Sequence, residues 1–369
     1  MNIIVKSALS VCLGLMTGFS AMANTSFGDT TRVFAVPLLT QTPKGNAALS
    51  WTEKDNAGTI HYFWSESKDQ GKSFGDKKLI FASPGIGSSR LMRPKLFFKK
   101  DGSLVAVFGL RGAEAAPAPV KAEAAHNHNH DDHKHAAPAA DGKEAPKPAA
   151  GKRGGRPSDL QIVYTISKDN GTTWSKPEPV HKDRTPQTVR GFFDATVLPN
   201  GEIGVAYLND IAGQKHQRDL RFVASEGNTF DTEHIIDPFV CNCCNVNLLT
   251  DQNKKLNIYY RENENNTRDI ATMTSSDNGK TFSKGKILFK DNWQIKGCPH
   301  SGPSSATYGG NNLITWFSGT ENEPGIRVVT GQGKKLLVLS EPSAKNAFAV
   351  AANKSAVVLW EENKSTTDV

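Results

Sequence analysis

One eight-residue pattern, met three times, constrains this chain more than any other feature. It reads Ser67-Lys68-Asp69-Gln70-Gly71-Lys72-Ser73-Phe74, then Ser167-Lys168-Asp169-Asn170-Gly171-Thr172-Thr173-Trp174, then Ser275-Ser276-Asp277-Asn278-Gly279-Lys280-Thr281-Phe282. The Asp carboxylate can accept backbone N–H groups within a tight turn, the Gly supplies a positive φ, and the closing aromatic packs between sheets. About 108 residues separate Asp169 from Asp277, and a worn copy, Ser225 to Phe230, falls near the middle. That predicts a repeat of roughly 50 residues, the size of a four-stranded propeller blade. Asp69 and Asp169 are about 100 residues apart, and removing a biased insert of about 45 residues restores the same period.

The pattern between boxes is that of strands: short apolar runs broken by polar turns. A first unit spans about Arg32 to Phe81, and a second opens at Arg93-Pro94-Lys95 and resumes after the insert at Leu160. A third opens at Arg190, a fourth at Cys241, a fifth at Cys298 and a sixth near Ala347. The sixth holds only Ala347 to Val350 and Ala356 to Trp360, so residues near Asn24 to Val33 are expected to complete it and remove an open sheet edge. The expected fold is all-β, a six-bladed β-propeller over residues 24–369.

Residues 1–23 carry Lys6, an apolar run from Ala8 to Met16 and the small-residue end Ala21-Met22-Ala23. This is the pattern of a secretory signal, whose removal takes Cys12 with it. No other stretch approaches the ~20 apolar residues of a membrane span. The expected location is periplasmic or secreted, with no membrane span. The net charge of +7 is spread without a basic stripe interleaved with aromatics, which argues against a nucleic-acid partner.

The insert, residues 113–156, is rich in Ala, Pro, Lys and Gly and has too little apolar surface to offset the entropy of ordering. It is expected to be disordered. It carries His126, His128, His130, His133 and His135, five of the ten histidines in the chain. Imidazoles at that density bind divalent or cuprous ions loosely without a fold. A solubilising loop is the plainer alternative.

Two segments draw attention to one end of such a propeller: Cys241, Cys243 and Cys244, and, some 55 residues on, Cys298 and His300. Both precede an expected innermost strand, and equivalent positions of successive blades line the same rim. Arg93, Arg190 and Asp194 fall at the corresponding openings. Three readings of the cysteines stay open. Four mature cysteines can form two disulfides in an oxidising compartment, although the neighbours Cys243 and Cys244 bridge only with strain. They can ligate copper, or zinc, with His300. They can also form a redox-active thiol pair.

The repeated turn resembles the Asp box of sialidases (neuraminidases) and related BNR-repeat propellers, and the likeness covers essentially the whole mature chain. The resemblance implies an arginine cluster that clamps a substrate carboxylate, an Asp acid/base and a Tyr nucleophile. On these residues it points to Arg93, Arg190 and Arg261 as the clamp, Asp194 as acid/base and Tyr260 as nucleophile. Arg327 is a further family-like arginine. Ala35, within Phe34-Ala35-Val36-Pro37, stands where the family has its first Arg, and Phe348 lies where the last blade has its Tyr. These departures lead to the expectation of a propeller that has lost glycosidase chemistry and binds a soft metal. Its partner would be the metal itself or a periplasmic metal-handling or redox protein. The alternatives are an exo-α-sialidase-like hydrolase of acidic sugars, and a protein- or glycan-binding module with structural disulfides.

Overall fold

The three boxes fold into the same turn. In each, the Ser hydroxyl donates to the Asp carboxylate (2.8, 2.8 and 2.7 Å) and accepts the Gly N–H (2.7, 2.8 and 2.8 Å). The Asp also accepts the N–H of the Ser or Thr four residues on, at 2.8 to 2.9 Å. The residue before each Gly, Gln70, Asn170 or Asn278, is left-handed as well, so the turn needs two successive positive φ values. The worn copy departs where its chemistry does. Ser225 turns to Glu202 instead, and the chain closes as a tight hairpin onto Thr229–Phe230.

The structure is a computed structural model and describes residues 31–112, 159–214, 216–352 and 355–362. The expected leader (1–23), the segment 24–30, and the insert 113–156 with its five histidines lie outside the described residues. Among the described residues every regular element is a strand, so none is a helix able to cross a membrane. The strands form six antiparallel sheets in chain order, in the arrangement of a β-propeller. The first runs Val33–Gln41, Ala47–Lys54, Ile60–Ser67, Lys78–Ser83. The second is Lys95–Phe98, Leu104–Arg111, Leu160–Ser167, Glu178–Pro179. The third takes Arg190–Val197, Ile203–Asp210 and Arg218–Glu226, with Thr229–Phe230 and His234–Val240 both on its outer strand. The fourth is Asn247–Thr250, Leu256–Arg261, Ile270–Ser275, Lys286–Phe289, and the fifth Ser304–Tyr308, Asn311–Ser318, Gly325–Thr330, Lys335–Leu339. The sixth has two strands, Ala344–Ala352 and Ser355–Glu362. The fourth and fifth sheets begin six residues later than the sequence predicts, which leaves both Cys segments in the connections.

The core lies between sheets. Tyr62 and Trp64 of the first meet Phe108 of the second. Ile162 meets Tyr207 of the third, and Phe222 meets Ile258 of the fourth. Tyr259 meets Trp316 of the fifth, and Val328 meets Val358 of the sixth. Losing a buried ring of this size costs about 3–5 kcal/mol. The box aromatics are half-buried, and Trp174 and Phe282 lean on these clusters, so they cap the core rather than fill it. The box glycine does more than turn the chain: a methyl on Gly171 would collide with Trp64 of the preceding sheet, and one on Gly279 with Phe222. Gly71, whose preceding sheet is the two-stranded one, has open space there. At that seam Leu39 and Leu359 stay exposed.

Three inner strands share one irregularity. A bulge falls at Val36, at Phe192 and at Asn346, each with a positive φ of 47°, 53° and 54°. For a β-branched or aromatic residue this conformation is costly, and such strain gathers where a strand must re-aim its side chains.

Candidate metal centre at the channel mouth

The connections that run from the outer strand of one sheet to the inner strand of the next gather at one face. They enclose a cleft whose lining includes Arg90, Arg93, Asp194, Asn245, His300 and Phe348, drawn from five successive sheets or their approaches. Asp194 is the hub. Its Oδ1 pairs with Lys95 Nζ of the second sheet at 2.5 Å, and its Oδ2 accepts Asn247 Nδ2 (3.0 Å) and the Leu248 N–H (2.9 Å) of the fourth. Ser305 of the fifth sheet donates to Asn247 Oδ1, and Ser304 Oγ accepts the N–H of Ala349 in the sixth (3.0 Å). A polar girdle thus joins five sheets. Asp194 spends both oxygens on it, which fits a structural latch better than the acid/base the resemblance implied.

The other members of the glycosidase set do not meet Asp194 in the cleft, apart from Arg93. Arg190 is fully buried and held by Gln161 (2.9 Å) and Asp183 (3.1 Å). Tyr260 is buried between the third and fourth sheets and donates to Asp237 at 2.7 Å; burial pushes its phenol far up, away from a nucleophile's needs. Arg327 is locked to Asp291 at 2.8 Å. Arg93 is half-buried with its guanidinium 4.5 Å from the Phe348 ring centre, and burial lowers its pKa. It has no hydrogen-bonded carboxylate among the described residues.

The cysteines converge as their place in the repeat predicts. Cys241, Cys243 and Cys244 lie in the connection after Val240, buried at 1%, 4% and 2% exposure, with Phe192 packed against them. Cys298 and His300 lie in the next connection, both exposed. All four cysteines are free thiols. Two groups of ligand atoms each fit within 4.8 Å: Cys241 with Cys243 and Cys244, and Cys243 with Cys298 and His300. Cys241 Sγ is 3.8 Å from Cys243 Sγ and 3.5 Å from Cys244 Sγ. Metal–sulfur bonds of ~2.3 Å place ligand sulfurs roughly 4 Å apart, so the spacing fits a thiolate-bound ion.

Local electrostatics favour one thiolate among the three. Hydrogen bonding with Cys243 and Cys244, helped by the Arg261 charge, holds the Cys241 thiol far below its ordinary value. Its neighbours respond oppositely. Hydrogen bonding with Cys241 raises Cys243, and burial pushes Cys244 up to about 12. One negative charge is therefore shared within the buried trio. Arg261 supports it from beneath. Its backbone carbonyl accepts the Cys241 N–H (3.0 Å), and its guanidinium donates to the carbonyls of Ser301 (3.0 Å) and Phe317 (2.9 Å) while lying 5.0 Å from the Trp293 ring centre. The resemblance made Arg261 part of a clamp; the structure makes it a strut that ties the two Cys-bearing connections together. His300 Nδ1 lies 3.0 Å from the Cys298 carbonyl, which can only accept, so Nδ1 carries the proton and Nε2 presents its lone pair.

Lys95, Asn247 and Ser305 escaped the sequence reading because their partners lie in other sheets. Residues 149–365 match the model of the BNR repeat-like domain. None of the curated proteins matches the sequence. Among solved structures, the chain is similar to a protein of unknown function from Dyadobacter fermentans (14% identity, 90% of this chain and 91% of that one, TM-score 0.52). It is similar to the intramolecular trans-sialidase of Ruminococcus gnavus (14%, 95% and 94%, 0.53). It is also similar to the Hadza microbial sialidase Hz136 (15%, 91% of this chain but 65% of that one, 0.54). At such identities these likenesses speak for the fold.

Proposed function

We propose, for a chain that belongs to the BNR repeat-like domain family, that the propeller binds a soft metal ion at its channel mouth, copper before zinc. The observation that carries this reading is the meeting of Cys243, Cys298 and His300 within 4.8 Å, from two separate connections. Thiolates with one imidazole suit Cu(I), and the exposed Cys298 and His300 give an ion a way in. The proposed setting is an oxidising, exported one, with the histidines of residues 126–135 as a loose collector and a metal-handling protein as exchange partner. Loss of glycosidase chemistry belongs to the same proposal, supported by the burial of Tyr260 and the commitment of Asp194 to the girdle.

The test is metal content and free-thiol count of the full-length protein, purified without chelator and then exposed to one. Copper retained with protected thiols, and reduced in Cys298→Ser and His300→Ala, is the expected result. Four freely titrating thiols with no retained metal would refute the reading. Because ligand thiols must deprotonate, retention is expected to weaken toward acid pH.

A further inference from the structure

We infer that the mouth holds two ions rather than one, with the Cys243 thiolate shared between them; this rests on the soft-metal reading above. The two ligand groups are distinct in surroundings but have Cys243 in common. One is closed: all its cysteines are at most 4% exposed, with Phe192 packed against them. The other is open, with Cys298 and His300 at the surface. Two three-coordinate ions need six donor positions and five side chains are present, so one donor must serve twice. A thiolate sulfur has the lone pairs to bridge, and Cys243 is the one placed in both groups.

The chemistry of the closed group narrows the ion. Zinc in a structural site asks for four donors in a tetrahedron. The closed trio offers three, and burial to this degree gives water little room to supply a fourth. A three-donor, all-sulfur, dry position suits the soft monocation Cu(I). The Arg261 guanidinium offsets part of the negative charge that four thiolates bring to two monocations. The open position, with an imidazole on the rim, is then the point of entry and exchange, and the closed one is the tight seat.

The test titrates the full chain anaerobically with Cu(I) against a competing Cu(I) chelator and counts retained ions by native mass spectrometry. A full-length variant with His126, His128, His130, His133 and His135 all replaced by Ala runs in parallel, so that the insert does not inflate the count. Two retained ions in both forms are expected, with one in His300→Ala, one in Cys244→Ala and none in Cys243→Ser. Copper X-ray absorption of the two-ion form is expected to show a short copper–copper vector, a reading that needs no variant to fold. One retained ion, abolished by His300→Ala, would leave the single-site reading standing and overturn the shared thiolate. Two ions without the copper–copper vector, or two retained in Cys243→Ser, would overturn it as well. No retained ion would overturn both.

Discussion

The Asp-box turns and the connections at the channel mouth are built on opposite principles. Each box closes on itself, its bonds spanning two to four residues and repeating almost to the tenth of an ångström. Each mouth connection is different from the next, and the bonds of the girdle beside them reach another sheet, as from Asp194 to Lys95 and Leu248. The boxes satisfy the Ser hydroxyl and Asp carboxylate that define them. The mouth holds three buried thiols in contact and a half-buried guanidinium facing a ring. Repetition marks what folds the chain, and departure from repetition marks what the fold is for.

The sharpest way to break that contrast is to put a methyl on the box glycines. Gly279→Ala and Gly171→Ala each force a left-handed Ala, about 1–2 kcal/mol, and overpack an aromatic, about 1–3 kcal/mol more. Gly71→Ala incurs only the first cost. Thermal melting should therefore rank Gly71→Ala well above the other two; equal losses would mean that the boxes do not clip one sheet to the next.

Asp194→Ala comes second. It strands Lys95, which is partly solvated, and two donors from the fourth sheet, so a loss of about 2–3 kcal/mol is expected in denaturant unfolding. Aryl sialoside hydrolysis is expected to be absent in the parent already. A parent activity that Asp194→Ala destroys without loss of stability would restore an acid/base role.

Glu262, beside the buried cysteines, offers a third and smaller effect. Burial raises its pKa to about 7 from 4.5. A raised acid favours the folded state fully below its unfolded value and loses that contribution as pH rises through 7. Melting temperature should carry a falling component between about pH 4.5 and 7 that Glu262→Gln removes. An unchanged pH profile in that variant would contradict it.

The smallest effect belongs to the boxes. Hydrogen bonds from Ser73 and Thr281 hold Asp69 and Asp277 down at about 2. Their contribution is present above the unfolded value near 4 and fades as pH falls toward 2. The triple variant Asp69→Asn, Asp169→Asn, Asp277→Asn should flatten only this acid limb, since all three carboxylates sit in solvent-facing turns.

The boxes were legible in the sequence because their partners are neighbours in it. The meeting of Cys243 with Cys298 was legible at one remove: counting repeats placed both on one rim, and the structure puts them within reach. Tyr260 was misread because nothing local to Tyr260-Arg261 tells that its ring points into the seam between two sheets, with Asp237 waiting there. The seats of Arg190 and Arg261 were hidden for a similar reason, since their partners include Gln161, 29 residues away, and the Phe317 carbonyl, 56 residues away. The girdle around Asp194 left no trace, because hydrogen bonds between strands of different sheets follow no period.

The girdle has a consequence for how such a chain can change over time. A box is a self-contained inheritance: it can erode alone, as the turn from Ser225 to Phe230 has, and its sheet survives. Lys95, Asp194, Asn247 and Ser305 have no such independence. A substitution at one leaves an orphan in another sheet, so drift at these four positions must proceed in step, and descendants of this propeller should keep or replace them together.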